Sequence, residues 1–314
     1  MIKIVFLGTS GSVPTPERNL PAIALARGRE IVLFDCAEGT QRQMLKAKMS
    51  VARISKIFIS HLHGDHVMGL PGLLQTLSLM ERETPLHVYG PPSLAEFIRA
   101  LIENLEFGLS FDLYVHPVHP GVICESPYYY VKCCRVNHGS IDAYAYSFEE
   151  KPRPGKFHPE KAIELGVPMG PLWKRLQLGE PVTLKNGRVI KPEAVVDPPQ
   201  SGRKIVYSGD TTPCQHLLEL SKSADVLIHE STFDHTLEKK AIETKHSTSV
   251  QAAHIAHEAE VKLLVLTHIS SRYSNADLLL QQAKNIFPNT VVAQDFMRVL
   301  LDLKGSFTVL PPSP

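Results

Sequence analysis

The most informative part of the sequence is residues 56–66, which read KIFISHLHGDH. Lys56–Ser60 is a short β-branched and aromatic run, which predicts a buried strand. Gly64 permits a sharp turn in the loop that follows. Four ligand-type side chains lie in that loop: His61, His63, Asp65 and His66. One tetrahedral ion cannot take all four and keep an open position, so the loop predicts two metal ions rather than a solvated polar turn.

Three more apolar strands end at a ligand-type residue. They are Tyr128–Asn137 before His138, Lys204–Gly209 before Asp210, and Lys262–Thr267 before His268. A single His or Asp in such a place is commonly a cap or turn residue. In layered α/β folds, however, sites gather beyond the carboxyl ends of strands. Four strands that deliver such residues to one edge therefore predict a dinuclear pocket.

The ligands divide between two ions. We expect one ion to bind His61, His63 and His138, and the other to bind Asp65, His66 and His268. The two oxygens of Asp210 make it the natural bridge. Nitrogen-rich ligation with carboxylates favours two zinc ions per subunit, with manganese or iron as alternatives. Two ions roughly 3.5–4 Å apart can generate a bridging hydroxide and clamp a phosphoryl group during in-line displacement.

A second pair of residues could serve proton transfer. Val226–Ile228 is an apolar strand that leads into Glu230, and His246 lies just before a predicted helix. A histidine beside the metals could donate a proton to a leaving group, with Glu230 orienting it. The alternative is that His246 merely lies near a helix cap.

Composition excludes several classes of protein. The chain has 314 residues, with 33 Lys and Arg against 32 Asp and Glu, so a net charge of +1 excludes nucleic-acid binding by bulk positive charge. We expect no membrane association, because no apolar run approaches 18 residues and the start of the chain does not resemble a signal peptide. The five cysteines form no CxxC pair, which indicates free thiols and a cytoplasmic location.

Strands and helices alternate along most of the sequence, which predicts a layered α/β fold. Further predicted strands are Lys3–Leu7, Ala22–Arg27, Ile31–Asp35, Leu86–Tyr89, Asp112–His116, Val122–Glu125, Ala143–Phe148 and Met297–Leu303. Predicted helices are Thr40–Lys48, Leu70–Met80, Ser93–Asn104, Ser249–Ala259 and Asn275–Ile286. The β-rich middle argues against a purely parallel sheet.

Residues 151–176 differ from the rest in composition. They include five Pro and three Gly, and six Lys or Arg against two Glu. Long segments of this kind are usually functional loops or disordered, and the alternative is a solvated surface loop. Phosphate contacts need clustered cations. The segment supplies them as Lys151, Arg153, Lys156, Lys161, Lys174 and Arg175.

Together these residues resemble the metallo-β-lactamase superfamily and, within it, the ribonuclease Z family. The superfamily motif is His61-x-His63-x-Asp65-His66, with His138, Asp210 and His268 in the expected order. Four features make the resemblance specific to ribonuclease Z over essentially the whole chain. They are FLGTSGSVPTPERN at Phe6–Asn19, His229-Glu230-Ser231-Thr232, His246-Ser247-Thr248, and the basic segment between His138 and Asp210.

The resemblance implies a fold, an activity and residue roles. It implies one αββα sandwich domain over residues 1–314, with residues 151–176 as a flexible arm that grips tRNA, typically in a homodimer. Gly170 and Pro171 resemble the Gly-Pro element of that arm. Asp65 resembles the proton acceptor for the attacking water, and His246 with Glu230 resembles the proton donor. The implied reaction removes the 3′ trailer from precursor tRNA, leaving a 3′-hydroxyl on the tRNA and a 5′-phosphate on the trailer. Two zinc ions would serve it, with Mn²⁺ as an in vitro substitute.

One loop departs from the family pattern. The family often has P-x-K-x-R-N near its start, whereas this chain has Pro14-Thr15-Pro16-Glu17-Arg18-Asn19. The resemblance implies substrate contacts at Arg18 and Asn19. The resemblance does not extend to how substrates are distinguished at the cleavage point, because Pro16 replaces the lysine.

Two other classes of function share part of the pattern. A different dinuclear hydrolase of the superfamily, such as a small phosphodiesterase, a lactonase or a glyoxalase II-like thioesterase, needs neither the basic segment nor the His246 motif. A non-catalytic binding module should lack a ligand, and all seven are present. A nuclease branch with a large domain after the bridging Asp does not fit, since only 57 residues lie between Asp210 and His268.

Overall fold

Strands and helices alternate along residues 1–312, the part of the chain that the computed structural model describes. The strands are β1 (Ile2–Gly8), β2 (Ser10–Gly11), β3 (Ala22–Arg27), β4 (Glu30–Phe34), β5 (Ile54–Phe58), β6 (Leu86–Gly90), β7 (Leu113–Pro117), β8 (Gly121–Glu125), β9 (Tyr129–Arg135), β10 (Tyr144–Glu150), β11 (Val182–Thr183), β12 (Val189–Ile190), β13 (Lys204–Tyr207), β14 (Val226–Glu230), β15 (Leu263–Thr267), β16 (Ile269–Ser270), β17 (Thr290–Val292), β18 (Arg298–Leu301) and β19 (Phe307–Leu310).

The described residues form ten α-helices. They are α1 (Thr40–Lys46), α2 (Gly64–Val67), α3 (Leu70–Leu79), α4 (Leu94–Asn104), α5 (Pro159–Glu164), α6 (Pro171–Gln177), α7 (Gln215–Ser221), α8 (Glu238–Thr244), α9 (Ser249–Glu258) and α10 (Asp277–Lys284). Short 3₁₀ helices occupy Val51–Arg53, Pro192–Ala194 and His235–Leu237. Among the residues described, none of these helices is long and apolar enough to cross a membrane.

Two large mixed sheets contain most of the described strands. The first has eight strands in the order β19-β18-β1-β3-β4-β5-β6-β7, and the second has seven in the order β17-β15-β14-β13-β10-β9-β8. The first sheet is antiparallel from β19 to β4 and parallel from β4 to β7. The second is parallel from β17 to β13 and antiparallel from β13 to β10. The antiparallel strands β8, β9 and β10 come from the β-rich middle of the chain, which confirms the prediction that the fold is not built on a purely parallel sheet.

Aromatic side chains pack between the two sheets. Phe34 at the end of β4 lies 5.6 Å from Phe58 of β5, measured between ring centroids. On the facing sheet, Tyr146 lies 6.4 Å and Tyr207 5.8 Å from Phe34. All four rings are buried, and each contributes on the order of 1.5–3 kcal/mol of burial free energy. This aromatic layer holds the sheets face to face.

Helices cover the outer face of each sheet. Leu33 and Ile57 belong to the opposite face of the first sheet from Phe34 and Phe58, because successive side chains alternate along a strand. They share one apolar cluster with Leu73 and Leu77 of α3. A second cluster joins strand residues Val206, Leu227 and Leu264 to helix residues Ala253 and Ala256 of α9. The layers therefore run helix, sheet, sheet, helix, which confirms the predicted αββα sandwich.

A smaller unit is formed by Pro127–Tyr129 and Glu150–Gly202, while the larger unit holds the two sheets. The smaller unit contains α5, α6 and the β11–β12 hairpin. Its apolar core consists of Ala162, Val167, Leu176, Val182, Ile190 and Val195. Residues 151–176, the basic segment of the sequence, form its first half, and the chain continues in the same unit to Gly202.

Candidate metal centre

The predicted ligands come together because the strands that precede them end at the same edge. β5 ends at Phe58 and delivers His61 and His63, and the short helix α2 carries Asp65 and His66. The other three ligands follow β9, β13 and β15, and they are His138, Asp210 and His268. In this structure the side chains of all seven face one another, as the distances between their ligand atoms show.

One cluster contains His61, His63, His138 and Asp210, whose ligand atoms all lie within 4.8 Å of one another. Nδ1 of His63 lies 3.0 Å from Nε2 of His61 and 3.3 Å from Nε2 of His138. Oδ2 of Asp210 lies 3.7 Å from Nε2 of His61. Burial lowers the pKa of His61 and of His63. Both rings are therefore neutral near pH 7, and neutral imidazole is the form that binds a metal.

A second cluster contains Asp65, His66 and His268. Nε2 of His66 lies 3.7 Å from Oδ2 of Asp65 and 3.4 Å from Nε2 of His268. Oδ2 of Asp210 reaches this cluster too, at 3.3 Å from Nε2 of both His66 and His268. One carboxylate oxygen thus faces nitrogens of both clusters, which is the position that a bridging ligand requires.

Asp210 carries the strongest indication that a cation belongs here. The residue is 2% exposed, and its Oδ1 atom is buried with no hydrogen-bond partner among the residues described. A buried carboxylate oxygen without a donor is costly unless a positive charge compensates it. Burial also acts to lower the pKa of His66, yet Asp210 and Asp35 raise it well above the usual range. The donor set therefore fits divalent metal ions, which would supply the positive charge in place of a proton.

Outer hydrogen bonds fix which nitrogen each histidine presents. Nδ1 of His66 lies 2.6 Å from Oδ2 of Asp35, and Nδ1 of His138 lies 2.8 Å from the carbonyl oxygen of Lys245. Because both partners only accept, each Nδ1 carries a proton, and Nε2 is the nitrogen that each ring presents to the cluster. Asp35 is held in turn by the hydroxyl of Tyr207 at 2.6 Å and by the backbone N–H of Ser60 at 2.7 Å.

Thr232 performs the same task for His268. Oγ1 of Thr232 donates its only proton to Oε2 of Glu230 at 2.8 Å. Towards His268, Oγ1 of Thr232 must therefore accept, and it does so from Nδ1–H at 2.8 Å. This leaves Nε2 of His268 free for a metal. His268 itself adopts φ 57°, a left-handed conformation that is unusual for a residue other than glycine and that is typical of functional sites.

The N-terminal loop supports two of the same ligands. The backbone N–H of Ser12 donates to Oδ2 of Asp65 at 2.8 Å. β2 pairs in parallel with β16, next to His268, and a Cβ atom at Gly11 would lie 2.6 Å from Nδ1 and Cε1 of that ring. Only glycine leaves room for His268 in this position. Gly11 and Ser12 therefore position the second cluster.

Glu230 and His246 form the polar pair beside the clusters. Oε1 of Glu230 accepts from Nδ1 of His246 at 2.9 Å and from the backbone N–H of Ser247 at 3.0 Å. The His246 ring stacks on the His268 ring with centroids 5.3 Å apart. Nδ1 of His246 lies 3.9 Å from Oδ2 of Asp210. Burial acts to lower the pKa of His246, but the carboxylate of Glu230 raises it to about 9. The pair thus holds a proton beside the candidate metal ligands.

Arg18 and Asn19 make their hydrogen bonds within the protein. Nη1 of Arg18 donates to Oγ1 of Thr9 at 2.7 Å and to the carbonyl of Ala293 at 2.6 Å. Nδ2 of Asn19 donates to the carbonyl of Glu38 at 2.9 Å, and the carbonyl of Asn19 accepts from the backbone N–H of Thr9. In this structure both residues brace the loop that carries Gly11 and Ser12, so substrate contacts there stay a prediction.

The other predicted substrate residues belong to the smaller unit. Gly170 adopts φ 136° and Pro171 begins α6. Lys151 and Arg153 are half-buried, and four cations are exposed: Lys156, Lys161, Lys174 and Arg175. The guanidinium of Arg175 pairs with Glu180 at 3.0 Å. These positions give the unit an exposed cationic surface.

Several residues that position the ligands have no role that the sequence patterns predict. They are Gly11, Ser12, Asp35, Ser60, Tyr207 and Thr232. The sequence does offer an indication for Asp35, because this residue comes directly after an apolar strand, as the candidate ligands do. Tyr207 and Gly11 had none, since their partners are 172 and 257 positions away in the chain.

Comparison with known proteins gives consistent results. Residues 2–148 match the family model "Anti-Pycsar protein Apyc1", and residues 194–269 match the model "Beta-lactamase superfamily domain". The chain is 45% identical over 300 residues to "Ribonuclease Z" of Methanosarcina acetivorans, covering 95% of this chain and 98% of that protein. It is 46% identical over 299 residues to "Ribonuclease Z" of Methanothermobacter thermautotrophicus, covering 95% and 96%.

Solved structures extend the likeness to three dimensions. Human tRNase Z, short form, is 30% identical and superposes with a TM-score of 0.70 over 96% of this chain and 99% of that one. The metallo-β-lactamase fold protein YhfI of Bacillus subtilis superposes with a TM-score of 0.66 at 18% identity, over 95% and 98% of the two chains. The second likeness supports the fold alone.

Proposed function

Because this chain belongs to the ribonuclease Z family, we propose that it cuts precursor tRNA endonucleolytically at the 3′ side and releases the trailer. The products would be a tRNA with a 3′-hydroxyl and a trailer with a 5′-phosphate. The observation that carries the proposal is the convergence of seven side chains able to bind metal beside the Glu230–His246 pair, in a chain that matches ribonucleases Z almost end to end.

The proposed cofactor is a pair of zinc ions in each subunit, with Mn²⁺ as an in vitro substitute. Five imidazoles and two carboxylates form the donor set, and this balance favours zinc over magnesium or calcium. His61, His63 and His138 would hold one ion, Asp65, His66 and His268 the other, and Asp210 would bridge them. Such a pair, when bound, lowers the pKa of water and neutralises charge on phosphoryl oxygens.

Asp65 is the proposed proton acceptor for the attacking water. Oδ2 of Asp65 is already fixed by the N–H of Ser12 and lies 3.5 Å from Nε2 of His268. Burial acts to raise the pKa of Asp65, but the facing His268 and His66 rings lower it well below its usual range. The carboxylate is therefore ionised at neutral pH and able to accept a proton.

His246 is the proposed proton donor to the leaving 3′-oxygen. Its Nδ1–H is committed to Glu230, so Nε2 is the nitrogen that remains for the substrate. Glu230 fixes the ring orientation and favours the charged form of the imidazole. General-acid catalysis by a positioned histidine typically contributes about 10²–10⁴-fold to the rate.

The smaller unit, Glu150–Gly202 with Pro127–Tyr129, is the proposed tRNA-gripping arm. Its exposed cations suit the phosphate backbone, which dominates affinity for folded RNA. The supporting residues are Lys151, Arg153, Lys156, Lys161, Lys174 and Arg175, with Gly170 and Pro171 opening α6. We further propose that the enzyme works as a homodimer in the cytoplasm.

Comparison of substrates tests the proposal. Zinc-loaded protein would be given a 3′-labelled tRNA precursor, a chromogenic phosphodiester and a thioester, each with and without a chelator. The proposal requires metal-dependent cleavage of the precursor. Hydrolysis of only the phosphodiester would reassign the protein to the small phosphodiesterases, and hydrolysis of only the thioester would reassign it to the glyoxalase II-like thioesterases. Either result would be compatible with a dinuclear site.

A further inference from the structure

A small cavity outside the metal centre is surrounded by positive charge. It has a volume of about 280 Å³ and is lined by four cationic side chains: Lys3, Lys46, Lys48 and Arg298. Val5 and Phe296 supply apolar lining. No Asp or Glu lines it among the residues that the structure describes. The volume exceeds by several times the roughly 30 Å³ that one water occupies in the liquid, so a phosphate group can enter.

The fold itself brings the four cations together. Arg298 of β18 lies directly opposite Val5 of β1, and Lys3 is two residues before Val5, so all three side chains project from the same face of the sheet. Val5 shares an apolar cluster with Met44 of α1, which places that helix on this face. Lys46 is the last residue of α1. Lys48 lies two residues further along the chain and adopts φ 54°.

These charges are not neutralised within the described chain. None of the four side chains forms an ion pair with a carboxylate there, and Nε of Arg298 is buried without a hydrogen-bond partner. The carbonyl end of α1 favours cations nearby, which accounts in part for Lys46 and Lys48. It does not account for Lys3 and Arg298, which come from the sheet. Four like charges around one cavity repel one another unless an anion lies between them.

We propose that this cavity, the β1–α1 cation pocket of Lys3, Lys46, Lys48 and Arg298, is a binding site for a phosphate group. Two sources have this chemistry: a backbone phosphate of an RNA chain that lies across this face, or a free phosphorylated small molecule. The site goes beyond the proposed hydrolysis, because none of its residues is a metal ligand or a proton carrier. Only the RNA source rests on the proposed function.

Thermal unfolding in inorganic phosphate tests the pocket. The metal-loaded protein would be compared with the variant K46Q/K48Q at constant ionic strength. The matched control K222Q/K304Q removes the same charge at two exposed lysines that do not line the cavity. Phosphate bound at the metal centre would contribute equally to all three. A smaller phosphate-induced rise in Tm for K46Q/K48Q than for the control supports the pocket, and an equal rise overturns it.

A second variant, R298Q, removes the cation that the sheet contributes to the pocket. It should also lose part of the phosphate-induced rise in Tm. Cleavage of precursor tRNA at several salt concentrations then distinguishes the sources. If RNA occupies the pocket, K46Q/K48Q should raise KM and make the dependence of log(kcat/KM) on log[salt] shallower by roughly 1–2. An unchanged KM and slope, together with the lost phosphate response, assigns the pocket to a free phosphorylated ligand. Hydrolysis of a small phosphodiester, which needs only the metal centre, should stay unchanged in every variant.

Discussion

Replacement of Gly11 by alanine should damage the second metal cluster although Gly11 has no side chain to contribute. The added Cβ would lie 2.6 Å from Nδ1 and Cε1 of His268 and 3.0 Å from its carbonyl oxygen. Ordinary carbon contacts are about 3.5–4.0 Å, so the ring or the loop must move by about 1 Å. A metal–ligand bond tolerates only about ±0.2 Å. The loop also cannot yield freely, because Ser12 next to Gly11 donates to Asp65 in the same cluster.

The expected loss is therefore large for a one-methyl change. Substitutions that disturb the support of a metal ligand typically cost about 10–100-fold in metal affinity, and a 1 Å misplacement of a catalytic group costs about 10²-fold in rate. We expect G11A to lose roughly 10–100-fold in affinity for one of two ions and about 10²-fold in kcat on a small phosphodiester. Competition with a chelator measures the first quantity, and steady-state kinetics with excess metal measures the second.

Gly108→Ala is the matched control, because a Cβ at Gly108 has nothing within 4 Å. G108A should keep both ions and full activity. The opposite outcome is that G11A binds two ions per subunit with unchanged affinity and retains kcat within about twofold of the parent. Such a result would show that the loop relaxes without moving either Asp65 or His268.

Three further predictions concern His66, the lysines of the smaller unit and Asp295. His66→Ala should abolish turnover on every substrate and reduce bound metal, whereas His257→Ala, at an exposed position on α9, should change neither; metal analysis and phosphodiesterase assays check both. K156Q/K161Q should raise KM for precursor tRNA and make its salt dependence shallower while hydrolysis of a small phosphodiester stays unchanged, and an equal loss of both activities would mean that these lysines have a structural role. Burial raises the pKa of the Asp295 carboxyl to about 6, above roughly 3.9 in the unfolded chain, so the folded state binds that proton more tightly. Protonation of Asp295 therefore stabilises the folded state at low pH, and this contribution is lost as pH rises from about 4 to about 6. Asp295→Asn should remove a fall of roughly 2–3 kcal/mol in the free energy of unfolding over that range, measured by denaturant titration at pH 4 and pH 7, and an unchanged fall would contradict this.

The sequence predicts the ligand set and the layered fold because both depend on local patterns. A buried strand followed by a polar ligand is visible within ten residues, and it recurs at His61, His138, Asp210 and His268. β5 belongs to the first sheet and β9, β13 and β15 belong to the second, yet all four strands end beside the same cluster of ligand atoms. Sites in layered α/β folds gather beyond the carboxyl ends of strands, so local patterns are enough to bring these residues to one site. The alternation of strands and helices likewise indicates layers without knowledge of which strands are neighbours.

The supporting contacts depend on pairings between distant parts of the chain. Gly11 meets His268 only because β2 pairs with β16, and Tyr207 meets Asp35 only because the two sheets pack face to face. The extent of the smaller unit has the same cause. Composition marks residues 151–176, but their apolar residues pack with Val182, Ile190 and Val195, which lie beyond the segment of unusual composition.

Mapping the cut to the nucleotide is the sharpest test of whether this protein removes tRNA trailers. Metal-loaded protein would cleave a precursor tRNA labelled at either end, and both product ends would be identified chemically. Metal-dependent trailer removal requires one cut at or near the discriminator base, a 3′-hydroxyl on the tRNA, a 5′-phosphate on the trailer, and complete loss of cleavage after chelation or in the His66→Ala variant. Scattered cuts, a cyclic phosphate end, or cleavage that survives in His66→Ala would contradict it.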